Sequence, residues 1–299
     1  MIIARIRGGL GNQLFQYAAA RALAWYKGVP LKLDLYTYDK RKSRSFGLDQ
    51  FKIDATLATR SEVHQFTGSN FLVRFLNKRE NYLRCPQVLS QPHYHFYSDF
   101  FSMPTPIYLS GYWQSEKYFV NFDTQLRQQI LLNRPLGDSA AKWKGLIEKN
   151  NSIAIHIRRG DYSANSNYNS FFGTLPISYY EKALEEMKRK VSAPQFFVFS
   201  DDLEWCKQNL SFLADVTFVS HNEPVSPAED LILMSFCKHQ IIANSTFSWW
   251  GAWLNRNPEK QVIAPGTWFQ SSYSASKLPI YAVRYYNTKD LLPESWIKL

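Results

Sequence analysis

Cysteine is scarce in this chain of 299 residues: Cys85, Cys206 and Cys237, far apart and odd in number. That pattern excludes a disulfide framework and a cysteine-based metal site, and it points to a reducing compartment. No apolar run approaches the roughly 18 residues that a membrane-spanning helix needs. The opening residues, MIIARIRGG, bring charge too early and too few apolar residues for a signal peptide. A soluble, cytoplasmic protein is therefore expected. Acid is the minority charge, with 25 Asp plus Glu against 35 Lys plus Arg and a formal net charge of +10. A basic surplus fits nucleic acid, an anionic membrane surface or a phosphorylated substrate. No stretch reads as a nucleic-acid module, so no nucleic-acid partner is expected. The densest basic run is Lys40–Arg41–Lys42–Ser43–Arg44. It reads as a solvated loop, with a peripheral contact to an anionic membrane as the competing reading. Internal repeats of short period are absent as well.

What remains is ample for folding. Hydrophobic residues make up 45% of the chain, which excludes disorder, and the length suits two domains. Aromatic residues reach 16%. Such rings serve sugar-binding surfaces and cores alike, so they tilt the reading toward carbohydrate only mildly.

Along the chain, IIARIR (residues 2–7) alternates as a strand and leads into the glycine-rich turn Gly8–Gly9–Leu10–Gly11–Asn12. QLFQYAAARALAWYKG then has helical spacing and stops at Gly28. LKLDLY (31–36) is the next strand, completing a βαβ unit. Residues 40–105 are less regular. IYLSGYW (107–113) is a strand, SEKYF opens a helix, and residues 123–132 form a helix that ends before Asn133–Arg134–Pro135. A second pattern follows: IAIHIR, a helix opened by Pro176, then FFVFS, DDLEWCKQNL, VTFVS, PAEDLILMSFC, HQIIA, a turn at Asn244–Ser248, a helix from WWGAWLN, and QVIAP. Five strands alternating with helices mark a parallel doubly wound sheet. The fold class is thus α/β, with two Rossmann-like domains expected to face across a cleft. Ligands of such sheets bind at the carboxyl ends of the strands.

Three clusters fall at those ends. In His156–Ile157–Arg158–Arg159–Gly160–Asp161, alternation puts His156 and Arg158 on one face. A guanidinium fork suits phosphate oxygens, Gly160 permits a tight turn, and Asp161 is placed to hold an arginine. The competing reading is a structural Arg–Asp pair. In Phe199–Ser200–Asp201–Asp202, a carboxylate can accept from a base edge or a ribose hydroxyl, or Ser200 or Asp201 simply caps the next helix. A metal held by the acidic pair lacks a third ligand, so no metal and no cofactor are expected. In Asn244–Ser245–Thr246–Phe247–Ser248, a helix N-terminus with hydroxyls suits phosphate, or the hydroxyls are ordinary caps. Trp249, Trp250 and Trp253 read as core. The Gly8–Gln13 turn is not GxGxxG, so the dinucleotide fingerprint fails. It still offers the backbone of Gly9 and Gly11 and the amide of Asn12; tight helix–strand packing is the other reading for the glycines.

Five segments in order, GGLGNQLFQYA (8–18), GYWQSEKYF (111–119), HIRRGDY (156–162), FSDD (199–202) and NSTFSWWGAWL (244–254), together resemble the bacterial-type α-1,2-fucosyltransferases, the galactoside 2-α-L-fucosyltransferase family. The resemblance covers most of the chain. It implies a GT-B-like fold, GDP-fucose as donor, a galactose-containing glycan as acceptor through its 2-hydroxyl, inversion at the anomeric carbon and no required metal. By this similarity Arg158 grips the donor β-phosphate, His156 and Asp161 line the GDP site, Asp201 or Asp202 reads guanine, and Ser245–Ser248 form the phosphate-side loop. Residues 1–145 become an acceptor-side domain with Asn12 near the reacting centre, 146–270 the GDP-fucose domain, and 271–299 a C-terminal segment without an assigned place. Glu116, after a strand end of the acceptor side, is the candidate general base, against the plainer reading of a first-turn helix glutamate. A location at the inner membrane face is the form a membrane contact would take. A fucosyltransferase of other linkage or acceptor, or a non-catalytic nucleotide-sugar or glycan-binding module, competes with this assignment.

Overall fold

The computed structural model describes residues 1–36, 38, 45–67, 87–159, 173–210, 216–221, 226–269 and 287–299. The chain divides into two compact units, Met1–Asn133 with Arg284–Pro293, and Arg134–Val283 with Glu294–Leu299.

The first unit is built on a parallel sheet of β1 (Ile2–Arg5), β2 (Leu31–Asp34), β3 (Thr56–Leu57), β4 (Val88–Ser90) and β5 (Ile107–Ser110), in the order β3-β2-β1-β5-β4. Ile2 pairs with Leu31 on one side and Ile107 on the other, so the apolar β1 is central. Helix α1 (Leu10–Lys27) buries Leu14, Phe15, Ala18 and Leu23 and ends where Gly28 takes a left-handed φ of 63°. Gly28 N–H closes onto the carbonyls of Ala24 and Trp25. The helix starts earlier than the sequence suggests: Gly11 and Asn12 lie in its first turn rather than before it. Short helices α2 (Arg60–Thr67) and α3 (Asp123–Gln129) complete the unit. Its aromatics are largely core: Phe100, Trp113 and Tyr118 pack with centroids 4.8–5.5 Å apart.

The second unit carries β6 (Ser152–Ile157), β7 (Gln195–Ser200), β8 (Val216–Phe218), β9 (His239–Ile241), β10 (Val262–Ala264) and β11 (Ile297–Lys298) in the order β11-β10-β9-β6-β7-β8, all parallel. This is the strand order of a Rossmann sheet: the chain runs outward from β6 to β8, then returns to the other side of β6 and runs out to β11. Its helices are α4 (Asp138–Glu148), α5 (Ile177–Lys190), α6 (Leu203–Asn209), α7 (Pro227–Phe236) and α8 (Thr246–Leu254). Alternation along β6 feeds both faces. Ile153, Ile155 and Ile157 pack with Tyr180, Leu184 and Met187 of α5. Ala154 packs with Ile147 of α4 and Leu233 and Met234 of α7. Trp249, Trp250 and Trp253 of α8 are buried, as their core reading requires.

Two sequence expectations shift. The unit boundary falls after Asn133, not at 145, because α4 buries Ala140 and Ile147 in the second core. Glu229, at the start of α7, also accepts from Gly137 N–H at 2.8 Å and so holds the start of α4. The segment 271–299 is divided: Asp290 pairs with Lys117 at 2.7 Å in the first unit, whereas Ile297–Lys298 form the edge strand of the second sheet. Pro176 opens α5 as expected, as the cap residue next to its first helical position.

Candidate active site

In the second sheet the strand order reverses at β6, which lies between β7 and β9. The crevice beyond the carboxyl ends at such a point is where open α/β sheets bind ligands. Parallel pairing brings Ile157 opposite Ser200, so the residues after both strands meet. Asp201 accepts from both arginines: its Oδ2 lies 3.0 Å from Arg158 Nη1, and its Oδ1 takes the backbone N–H of Arg159 at 2.9 Å. Among the described residues, Asp201 is thus a carboxylate that orients Arg158. Asp161, expected in that role, lies outside the described residues. Asp202, not Ser200 or Asp201, caps α6, accepting from Trp205 N–H at 3.1 Å. Its own N–H donates to Ser200 Oγ at 3.0 Å. Arg159 lies over the Trp205 ring, 3.7 Å from the centroid, with Asp202 Oδ2 at 3.8 Å from its Nε. Trp205 escaped notice in the sequence because a Trp in a first helical turn carries no motif.

His156 is buried behind this cluster, and its Nδ1 has no hydrogen-bond partner among the described residues. Burial, reinforced by the Arg158 charge, pushes its pKa well below the ordinary range, so the ring is neutral. The ring packs 5.6 Å from Phe247, which joins the β6 end to the start of α8. Cys206, just beneath, is pushed up to about 11 by burial and stays a thiol.

At α8 the hydroxyls are mostly spent on the turn itself. Ser245 caps the helix, accepting from Phe247 N–H at 3.3 Å. Ser248 is fully buried and donates to the carbonyls of Ser245 and Ala243 at 3.2 and 3.4 Å. Asn244 Nδ2 donates to the carbonyls of Gly173 and Trp268 at 3.2 and 3.3 Å. These three residues build the loop, while Thr246 and Phe247 are the half-buried ones. The helix begins at Thr246 rather than at the tryptophans, so its positive end lies beside the β6 crevice.

In the first sheet the order reverses at β1, between β2 and β5. Gly8 follows β1 with φ +84°, a left-handed conformation that favours glycine. Its carbonyl accepts from Gln13 Nε2 at 3.0 Å and Tyr38 OH at 2.8 Å. Gly9 is the cap of α1 with extended backbone. Asn12 is half-buried, and its Oδ1 accepts from Gln114 Nε2 at 2.7 Å. Gln114, in the turn after β5, accepts in turn from Tyr94 OH. That turn is constrained. A Cβ on Gly111 would lie 2.5 Å from Gln91 Cβ, and Trp113 holds φ +55°. Gln91 Oε1 supports it, accepting from the N–H groups of Tyr112 and Trp113 at 2.8 and 3.1 Å. The Arg7 guanidinium covers the Tyr112 ring at 4.5 Å. Glu116 opens a single 3-10 turn capped by Ser115 and is half-buried, which is the helix-start arrangement. Gln91 and Tyr94 went unremarked in the sequence, and Gln114 stood in a quoted motif without a role.

The basic run at 40–44 lies outside the described residues. Among the described residues, no three His, Cys, Asp or Glu side chains are grouped to hold a metal ion, and no helix is long and apolar enough to cross a membrane.

Comparison with known proteins fits these motifs. The model of glycosyl transferase family 11 matches residues 1–286. The chain is 35% identical to an alpha-1,2-colitosyltransferase of Escherichia coli, over 100% of this chain and 99% of the relative. It is 31% identical to the E. coli O-antigen biosynthesis glycosyltransferase WbnK, over 98% and 99%. It is 26% identical to the mouse galactoside 2-alpha-L-fucosyltransferase Sec1, over 85% of this chain and 64% of the relative.

Proposed function

The chain belongs to glycosyl transferase family 11, and from that premise we propose that it is an inverting, GDP-fucose-dependent galactoside α-1,2-L-fucosyltransferase. The observation that carries the proposal is Arg158, held by Asp201 at the reversal point of the second sheet, with the N-terminus of α8 alongside. As the glycosidic bond breaks, negative charge gathers on the departing diphosphate. A fixed guanidinium and a helix N-terminus stabilise that charge without reorganising. Neutral His156 adds packing behind the arginine and no competing charge. The second unit is then the donor side and the first the acceptor side.

The acceptor hydroxyl loses its proton as the bond to the sugar forms. Glu116, two residues beyond Gln114, is the candidate base in this scheme. With Arg158 neutralising the leaving group, no metal is required, and chelator leaves the transfer rate unchanged. A rate abolished by chelator and restored by Mg²⁺ or Mn²⁺ would overturn that.

Colitose is the second donor reading, favoured by the name of the E. coli relative that is 35% identical. Colitose lacks the C3 hydroxyl of fucose, so the two donors differ by one polar contact at the sugar. Incubation with GDP-fucose and GDP-colitose, each against a galactoside panel with linkage analysis of the product, decides among these readings. GDP release without glycan product, or product of another linkage, removes the proposed assignment. Nucleotide binding with no turnover of any donor leaves the binding-module alternative.

A further inference from the structure

We infer that Gln114, anchored by Tyr94, is a positioning residue that fixes the sense of the Asn12 amide, so that Asn12 meets a substrate oxygen as a hydrogen-bond donor. The inference rests on the reading that the turn after β1 lies at the reacting site.

The Tyr94 phenol carries one hydrogen and gives it to Gln114 Oε1. That leaves the Gln114 amide nitrogen as the group turned to Asn12, where it donates to Oδ1 at 2.7 Å. Asn12 Oδ1 is thereby fixed on the Gln114 side and Nδ2 on the other. In the same orientation a Cβ added to Gly8 would lie 2.8 Å from Asn12 Nδ2, so the nitrogen faces the bare glycine turn at the end of β1. The Tyr94–Gln114 end of the relay is buried, with each residue 4% exposed, so water does not compete for the bond that sets the Gln114 amide. Its support is also specific. Gln91 clamps the backbone of Tyr112 and Trp113, and Trp113 is held at a φ that a bulky residue rarely adopts. A turn that only joined two elements would not need a strained tryptophan and two buried polar side chains, Gln91 and Tyr94, to aim one glutamine. A donor amide suits an oxygen that carries lone pairs or gathers negative charge during transfer. It does not suit the role of proton acceptor.

Gln114→Glu tests this. A carboxylate has no hydrogen to give, so it accepts from Tyr94 and from Asn12 and turns the Asn12 amide around. Turnover should fall about tenfold or more while GDP affinity stays within about twofold. In an Asn12→Ala background the same change should cost nothing further, because there is no amide left to turn. Lowering the pH should restore part of the Gln114→Glu activity relative to wild type, since a protonated carboxyl can again donate to Asn12 Oδ1. Tyr94→Phe, which deletes only the hydroxyl, should lower turnover and be equally silent in the Asn12→Ala background; it serves if Gln114→Glu fails to fold. Additive losses, no recovery at low pH, or near-normal turnover in Gln114→Glu would overturn the inference. If the wild type transfers no sugar from any GDP-linked donor, the functional reading falls by itself. The side-chain amide resonances of Asn12, assigned by their loss in Asn12→Ala, then decide: a shift in Gln114→Glu supports the relay, and unchanged resonances overturn it.

Discussion

At the β6 end of the second sheet the side chains around the crevice are mostly charged; at the β1 end of the first, Arg7 over the Tyr112 ring apart, they are mainly neutral amides and glycines. The first arrangement is Arg158, Arg159, Asp201 and Asp202 around a neutral His156. The second is Asn12, Gln91 and Gln114 with Tyr94, on backbone that Gly8 and Gly111 leave bare. Both stand where a sheet reverses its strand order, so topology selects the place and composition selects the task. Charge acts over several ångströms and tolerates small displacements. Neutral hydrogen bonds fail within a few tenths of an ångström, so the amide turn depends on backbone geometry that the charged cluster does not need.

The contrast can be broken most forcefully at Arg158. Arg158→Lys keeps the charge but loses the planar fork, and transfer should drop about 100–1000-fold in a folded protein. Near-normal turnover would mean that charge alone suffices and that no anion is clamped there. Next comes Gly111→Ala. Its methyl would meet Gln91 Cβ at 2.5 Å, and the turn must shift. We expect about 2–4 kcal/mol of destabilisation in denaturant titration, with GDP affinity preserved in the fraction still folded. An unchanged midpoint would show that the turn yields freely. A smaller effect separates the two aspartates. Asp201→Asn loosens both arginines and should weaken GDP binding about tenfold by calorimetry. Asp202→Asn should bind GDP as wild type does, because Asn caps a helix as well as Asp. Equal affinities in both variants would move base and phosphate recognition elsewhere.

The smallest effect near neutrality is a pH dependence. The folded pKa of His156 lies below its ordinary value of 6.5. The unfolded chain therefore binds a proton that the folded one refuses, and stability falls as the pH drops below about 6.5. The slope approaches about 1.4 kcal/mol per pH unit for this one group. His156→Gln should flatten that part of the stability–pH curve, and an unaltered curve would mean that His156 is protonated in the fold.

The charged region was far more legible in the sequence than the neutral one. Arginines and aspartates at strand ends are uncommon and invite a reason, so His156, Arg158 and the FSDD end could be singled out from residue type alone. The Asp201 contact was not accessible: the sequence offered Asp161 to hold an arginine, and only the parallel register, which sets Ile157 opposite Ser200, brings Asp201 to Arg158. Which aspartate caps α6 turns on an offset of one residue, below what propensity resolves. Gln114 stood inside a quoted motif yet had no role, because a glutamine is unremarkable until a tyrosine twenty positions away gives it a hydrogen. The long buried strands and α1 announced themselves by apolar periodicity. β3, with two exposed residues, β4, with three half-buried ones, and the two-residue β11 are too short to show any. The boundary near 133 lay at the Asn133–Arg134–Pro135 break, but only the packing of α4 on the second core decides on which side residues 134–145 belong.

The bond from Gly137 N–H to Glu229 has a kinetic side. It spans 92 positions of chain, and Glu229 simultaneously closes the capping box of α7 with Ser226. The start of α4 therefore waits on an element that lies, among the described residues, beyond three strands and two helices of the same unit. In contact-order terms, α4 can wind locally and early, but it is seated only after α7 has formed, so its docking belongs to the slow, non-local phase of folding. Hydrogen exchange at Gly137 should accordingly report on the integrity of α7 rather than on the helix that Gly137 itself begins.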